Sequence, residues 1–226
     1  MRLTAIVPML NEERAIAATL EALRAGAPEA EIIVVDGGSE DRGVALARPR
    51  CDRLMVAPRG RARQMNAGAA AAAGDALVFV HADTIVGRGF AGEITAALAD
   101  TRVVGGRFDI AFDQYGGGLR IVAAMINLRS RAMRSATGDQ AIFVRREAFA
   151  QIGGFAPIEL CEDVDFVRRL KRLGRFACPR ARVETSSRRW RRAGVARTIL
   201  RMWAIKALFL AGASPARLKR HYGDSR

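Results

Sequence analysis

The chain has 226 residues, half of them hydrophobic, which suits one large domain with a full core and argues against disorder. Its three cysteines, Cys51, Cys161 and Cys178, show no Cys-x-x-Cys spacing, supporting neither a disulfide framework nor a zinc site and fitting a reducing compartment. The formal charge of +14 sets 37 basic residues, only Lys171, Lys206 and Lys219 of them lysines, against 23 acidic ones; their late clustering with few interleaved aromatics favours a membrane surface or phosphates over nucleic acid.

Met1 to Pro8 lacks the long apolar stretch and small-residue cleavage site of a signal peptide. No run reaches the ~18 apolar residues of a spanning helix. The expectation is therefore a cytoplasmic protein, with peripheral contact at the inner face of a membrane left open.

Leu3 to Pro8 reads as a buried strand ended by its proline, followed by Asn11 as a helix cap and a helix over Glu12 to Ala25. Glu31 to Val35 is a second strand emptying into Asp36-Gly37-Gly38-Ser39, and Cys51 to Val56 a weaker third. The alanine-rich helix Arg61 to Ala73 carries Arg61 and Arg63 in its first turn, against the helix dipole, which suggests a place for phosphate. The run from Ala76 to Thr84, Ala-Leu-Val-Phe-Val-His-Ala-Asp-Thr, is a fully buried strand ending on Asp83. Four strand and helix alternations imply a parallel sheet covered on both faces, with ligands at the carboxyl ends of its strands, where Asn11, Glu12, Asp36 and Asp83 all fall.

Beyond the helix Phe90 to Ala99 the pattern changes. Val103 to Phe112 alternates apolar with polar residues, as a half-exposed strand would, and Leu119 to Met133 forms a helix with Ile121, Met125 and Leu128 on one side. Gly138-Asp139-Gln140 lies in a turn, and Glu159 to Gly174 is a helix whose start holds Glu162, Asp163 and Asp165. Helix capping accounts for part of that acidity. A last strand, Val183 to Ser186, precedes the basic cluster Arg188-Arg189-Trp190-Arg191-Arg192 and an amphipathic helix from about Val195 to Ala211. The expected organisation is one α/β domain over 1–226: a nucleotide-binding half to residue 100, an acceptor and catalytic half over 101–190, and basic amphipathic helices over 191–226.

Taken in order, Ile6 to Glu12, Val35 to Ser39, Ala82-Asp83, Glu162-Asp163 and Arg188 to Trp190 resemble the motifs of the family 2 glycosyltransferases, inverting enzymes with the GT-A fold. The segment Arg61 to Asn66 and the short tail look most like a small bacterial arsenosugar-type, radical-SAM-associated subgroup. The resemblance implies a Rossmann-like, mostly parallel sheet with helices on both faces and a smaller acceptor-side mixed region, and a nucleotide-sugar donor, a UDP-sugar first, with a small or lipid-linked acceptor. Pro8, Asn11, Glu12, Asp36, Arg63, Ala82, Asp83, Arg189 and Trp190 would hold that donor, with Asp83 binding Mg2+ or Mn2+ across the diphosphate. Asp163, beside Glu162, would be the general base, with Asp165 as a competitor, and Gly138, Asp139 and Gln140 would lie on the acceptor side. His81 stands where the family carries its first metal-binding acid, and is open to a metal, ribose or packing role. A sugar-phosphate nucleotidyltransferase and a non-enzymatic polyanion-binding protein are the alternatives; the first usually needs a glycine-rich loop after the first strand, where this chain has Pro8 to Glu12.

Overall fold

The computed structural model describes residues 1–113 and 117–222. Its strands and helices, in chain order, are β1 (Leu3–Met9), α1 (Ile16–Gly26), β2 (Glu31–Asp36), α2 (Gly43–Ala47), β3 (Arg53–Val56), α3 (Arg61–Ala71), β4 (Ala76–Phe79), β5 (Thr84–Val86), α4 (Phe90–Leu98), β6 (Val103–Gly106), β7 (Asp109–Phe112) and α5 (Gly117–Ala132). They continue with β8 (Ile142–Arg145), α6 (Arg146–Gln151), α7 (Glu162–Leu170), β9 (Arg175–Ala177), β10 (Arg182–Thr185), α8 (Arg188–Ala193), α9 (Val195–Leu210) and α10 (Pro215–Tyr222).

Seven strands form the main sheet in the order β3-β2-β1-β4-β8-β6-β9. The first four are mutually parallel, β8 runs antiparallel to both neighbours, and β6 pairs parallel with β9. Strand β1 is buried along its whole length. Leu3, Ala5, Val7 and Met9 face the layer holding Leu20 and Leu23 of α1, and Ile6 faces Met65 of α3, which is why an uninterrupted apolar run is needed there. The chain leaves β1 toward β2 on one side and meets β4 on the other. That switch of direction opens a crevice at the carboxyl ends of β1 and β4.

Three readings are corrected by the structure. The first helix begins at Ile16, and Asn11 does not cap it: Asn11 has a positive φ of 53°, its Oδ1 accepts from the Glu40 amide at 2.9 Å, and its own amide donates to Ser39 Oγ at 2.9 Å. The asparagine thus ties two loops at the crevice. The segment Val103 to Phe112 is two strands in different sheets, and it is almost wholly buried. Its polar alternation reflects internal pairing: buried Arg107 contacts Asp109, which also accepts from Arg131 at 2.9 Å. Finally, Ile121, Met125 and Leu128 do share one side of α5, but it is the outer side, while Leu119, Val122, Ala123 and Ile126 pack inward.

The smaller mixed region expected beside the main sheet is a second sheet, β5-β10-β7, with β10 antiparallel to β5 and parallel to β7. Strand β10 runs antiparallel to β5 with Thr185 opposite Thr84. The residues after Thr185 are thereby carried to those before Thr84, which joins the basic cluster to the end of the run Ala76 to Thr84.

Candidate active site

A cavity of about 460 Å3 opens at the carboxyl ends of β1 and β4. One wall is the loop after β1, with Pro8, Leu10, Asn11 and Glu12; the floor is His81, Ala82 and Asp83 after β4. The opposite wall comes from Gly138, Asp139, Glu162 and Asp163, and the rim from Arg188, Trp190 and residues of α5 and α9.

The floor is held from behind. The Val80 amide donates to the Ile6 carbonyl at 3.0 Å, extending the β4 pairing past its last residue, and Thr19 Oγ1 of α1 donates to the Ala82 carbonyl at 2.8 Å. Asp83 is fixed where β4 turns into β5. There Arg188 Nη2 lies 2.6 Å from Glu12 Oε2 and 3.4 Å from Asp83 Oδ2. The hydrogen bond to Glu12, then that carboxylate's charge and that of Asp83, hold the guanidinium protonated more firmly than usual, against its partial desolvation. Two carboxylates from the two halves of the crevice therefore share one arginine.

Across the cavity, Asp163 sits in the first turn of α7. Its Oδ2 accepts from the Gly138 amide at 2.7 Å and its Oδ1 from its neighbour's amide, Val164, also at 2.7 Å. Burial nevertheless pushes its carboxyl above the ordinary aspartate value of 3.8; the two amide bonds pull it down, Asp139 adds an upward push, and Arg61 a downward one. Gly138 has no room for a side chain, because a Cβ would stand 2.6 Å from His81 Nε2. The imidazole thus packs against the loop that holds Asp163. The Thr137 to Gln140 turn is braced by a capping box, with Gln140 wholly buried.

The structure brings together Pro8, Asn11, Glu12, Ala82, Asp83, Gly138, Asp139, Glu162, Asp163 and Trp190 around the cavity. Trp190 is buried, edge-on to Phe112 with ring centroids 5.5 Å apart. Other expected residues fall elsewhere. Asp36 is buried behind the β2 turn, where its carboxylate accepts from the Gly38 amide at 3.0 Å and from Ser39 Oγ at 2.5 Å. Arg63 does not line the cavity; Arg59 and Arg61 do. Gln140 is fully buried and does not line the cavity. Asp165 does not line the cavity and pairs with Arg169 at 2.7 Å, so the acids of this helix that face the cavity are Glu162 and Asp163. The side chain of Arg189 lies outside the described residues, and Arg188 is the arginine that reaches the site.

Of the two arginines that the dipole argument marked for phosphate, Arg61 and Arg63, only Arg61 lines the cavity, and within the basic motif it is Arg188 that reaches it. Sequence reasoning passed over Arg129 and Lys206. Arg129 and Lys206 gave no local signal. The segment Arg61 to Asn66 also braces the fold, since Gln64 Nε2 donates to the Met9 and Val35 carbonyls at 2.8 Å each, and Asn66 exchanges hydrogen bonds with the Phe155 backbone at 2.8 and 2.9 Å.

For a divalent cation the donor set is sparse. No cluster of three or more histidine, cysteine or acidic side chains stands ready among the described residues. Mg2+ in phosphate chemistry needs only one or two protein carboxylates, the remainder coming from phosphate oxygens and water. Asp83, with Glu12 across the same arginine, fits that requirement.

Residues 4–152 match the model for glycosyl transferase family 2. No curated protein matches the chain by sequence. Among solved structures, the fold is similar to S. aureus TarS 1–349, with a TM-score of 0.67 at 18% identity, covering 96% of this chain and 68% of that one. It is also similar to the Pyrobaculum calidifontis mannosyltransferase in complex with GDP-Man and Mn2+ (TM-score 0.65, 20% identity, 97% and 67% covered). A third likeness is glucosyl-3-phosphoglycerate synthase from Mycobacterium tuberculosis with Mn2+, UDP and glucosyl-3-phosphoglycerate (TM-score 0.60, 20% identity, 80% and 70% covered). Against TarS 1–349 in complex with UDP, the chain spans 60% of the other's length. At these identities the likeness establishes a shared α/β fold.

Proposed function

The chain belongs to glycosyl transferase family 2, and from that premise we propose that it moves a sugar from a nucleoside-diphosphate donor, a UDP-sugar first, onto a hydroxyl of a small or lipid-linked acceptor with inversion. The observation that carries this reading is the opposition of two kinds of carboxylate across one cavity. Glu12 and Asp83 share a guanidinium on one side, and a desolvated Asp163 held by two amides stands on the other. Inversion requires attack from the face opposite the leaving group, and so a base placed away from the diphosphate.

In this assignment the loop Pro8 to Glu12 receives the nucleoside, with Asp36 shaping the turn behind it. Arg188 and Arg61 face the diphosphate, with Asp83 and Glu12 holding Mg2+ or Mn2+; the cation would neutralise charge gathering on the leaving diphosphate. Asp163 takes the proton of the acceptor hydroxyl as the bond to the sugar carbon forms, and Trp190 borders the sugar. His81 positions the Gly138 loop. The segment Arg61 to Asn66 supports the bacterial arsenosugar-type subgroup. The experiment is calorimetric titration with UDP, GDP and CDP, each with and without Mn2+. Binding of one diphosphate, strengthened by the cation, is expected; absence of binding by all three under both conditions overturns the reading.

Peripheral membrane contact is proposed as well, on the outer faces of α5 and α9. Leu128 is 72% exposed, Leu200 69%, Ile121 63% and Trp203 56%, although solvent-facing helix positions are normally polar. The same two helices present Arg129 and Lys206 to the cavity, so the apolar faces flank its mouth. Among the described residues no helix is long and apolar enough to cross a membrane. Apolar faces on a chain of charge +14 suit an anionic lipid surface. Sedimentation should show binding to vesicles containing phosphatidylglycerol and little to pure phosphatidylcholine. Leu128→Ser with Trp203→Ser should weaken it by about one to two orders of magnitude; equal binding by the variant sinks the proposal.

A further inference from the structure

Arg129 of α5 and Lys206 of α9 converge on the cavity beside Asp163. Neither side chain forms a hydrogen bond or an ion pair with a described residue. Arg129 Nε is enclosed and has no partner among the described residues. Three other half-buried cations each contact a carboxylate: Arg131 with Asp109, Arg169 with Asp165, Arg188 with Glu12. Two cations side by side, partly out of water, each without a carboxylate in contact, form an arrangement that costs free energy until an anion arrives. Desolvation lowers the pKa of Lys206 and its proximity to Arg129 and Lys171 lowers it further, against an upward pull from Asp163; desolvation likewise lowers that of Arg129, with only Asp139 opposing.

We propose that Arg129 and Lys206 form an anion subsite for the acceptor, so that the hydroxyl activated by Asp163 belongs to a molecule carrying a phosphate or carboxylate close to that hydroxyl. This rests on the assignment of Asp163 as the base. The donor's diphosphate already has Arg188, on the Asp83 and Glu12 side, whereas Arg129 and Lys206 lie toward Asp139 and Asp163. An anionic acceptor also needs such a pair for a chemical reason. Its own charge would otherwise repel the carboxylate that must take its proton, and two fixed cations offset that repulsion.

The test is titration of the wild-type protein with inorganic phosphate, and separately with acetate, with and without saturating UDP and Mg2+. Binding of one of these anions in the millimolar range is expected, unimpaired by UDP and weakened at least about tenfold in Lys206→Gln and in Arg129→Gln. UDP affinity should stay unchanged in both variants, and Lys206→Arg should retain the anion. The variants' response to sn-glycerol 3-phosphate against vesicles of phosphatidic acid then distinguishes a soluble acceptor from a lipid headgroup. If phosphate competes with UDP, the pair belongs to the donor's diphosphate and the proposal falls. It falls equally if both variants bind the anions as wild type does, or if neither anion binds. Absence of UDP binding by the wild type is a different result, which overturns the transferase reading while the titration without UDP still reports on the subsite.

Discussion

Replacing Asp163 with asparagine is expected to lower kcat by about two to four orders of magnitude, the contribution of a positioned general base, and to leave UDP affinity nearly intact. The reason lies in what the side chain touches. Its two oxygens are held by the Gly138 and Val164 amides and face the cavity from the wall opposite Arg188, so the nucleotide can bind without it. Asparagine can accept only one of the two amide bonds, and its NH2 group confronts the other donor. A stability loss of about 1–2 kcal/mol should therefore accompany the change, and thermal melts must confirm that the variant is folded at the assay temperature.

The wild-type pH profile supplies a second readout. Burial raises the Asp163 carboxyl above 3.8, so protonation begins at a higher pH than for an ordinary aspartate. The base works only when ionised. Activity should be present above the raised value and fall as pH drops through it, and this acid limb should vanish from the residual activity of the asparagine variant. A loss of nucleotide binding instead would reassign Asp163 to the donor side.

Asp83→Ala should remove most of the benefit that Mn2+ gives to nucleotide binding, about 10- to 100-fold in Kd, or roughly 1.4 to 2.7 kcal/mol. Arg188 would keep its 2.6 Å contact with Glu12, so the cavity should hold its shape and metal-independent affinity should change little. The measurement is the same calorimetric titration, run on both proteins with and without the cation. An unchanged response to Mn2+ would mean that the diphosphate and its cation lie elsewhere. Because Asp83 and Asp163 are held by different elements, their effects should be separable: one in affinity, the other in turnover.

Much of the amino-terminal half was legible along the chain. The buried runs of β1, β2 and β4, each emptying into polar side chains, are local signals, since a strand covered on both faces has to be apolar throughout and its ligands can come only from its end. The second half was harder to read. Val103 to Phe112 carries the alternation of a half-exposed strand, yet its arginine and aspartate are paired inside the protein, and no pattern of single residues distinguishes a paired charge from a solvated one. Lys206 and Arg129 stand 77 positions apart, and neither has a neighbour in sequence that marks it.

The sequence by itself therefore determined the parallel-sheet half, the acids at its strand ends and the acidic start of α7, because hydrophobic period and strand termination are properties of short stretches. The tertiary structure decided which of those residues work together. Antiparallel pairing of Thr185 with Thr84 brings Arg188 to Asp83; the rotation of α7 turns Asp163 toward the cavity and leaves Asp165 to Arg169. Two residues along a helix turn a side chain by about 200°. That rotation is fixed by packing against segments far along the chain, and so is the choice between these two candidates.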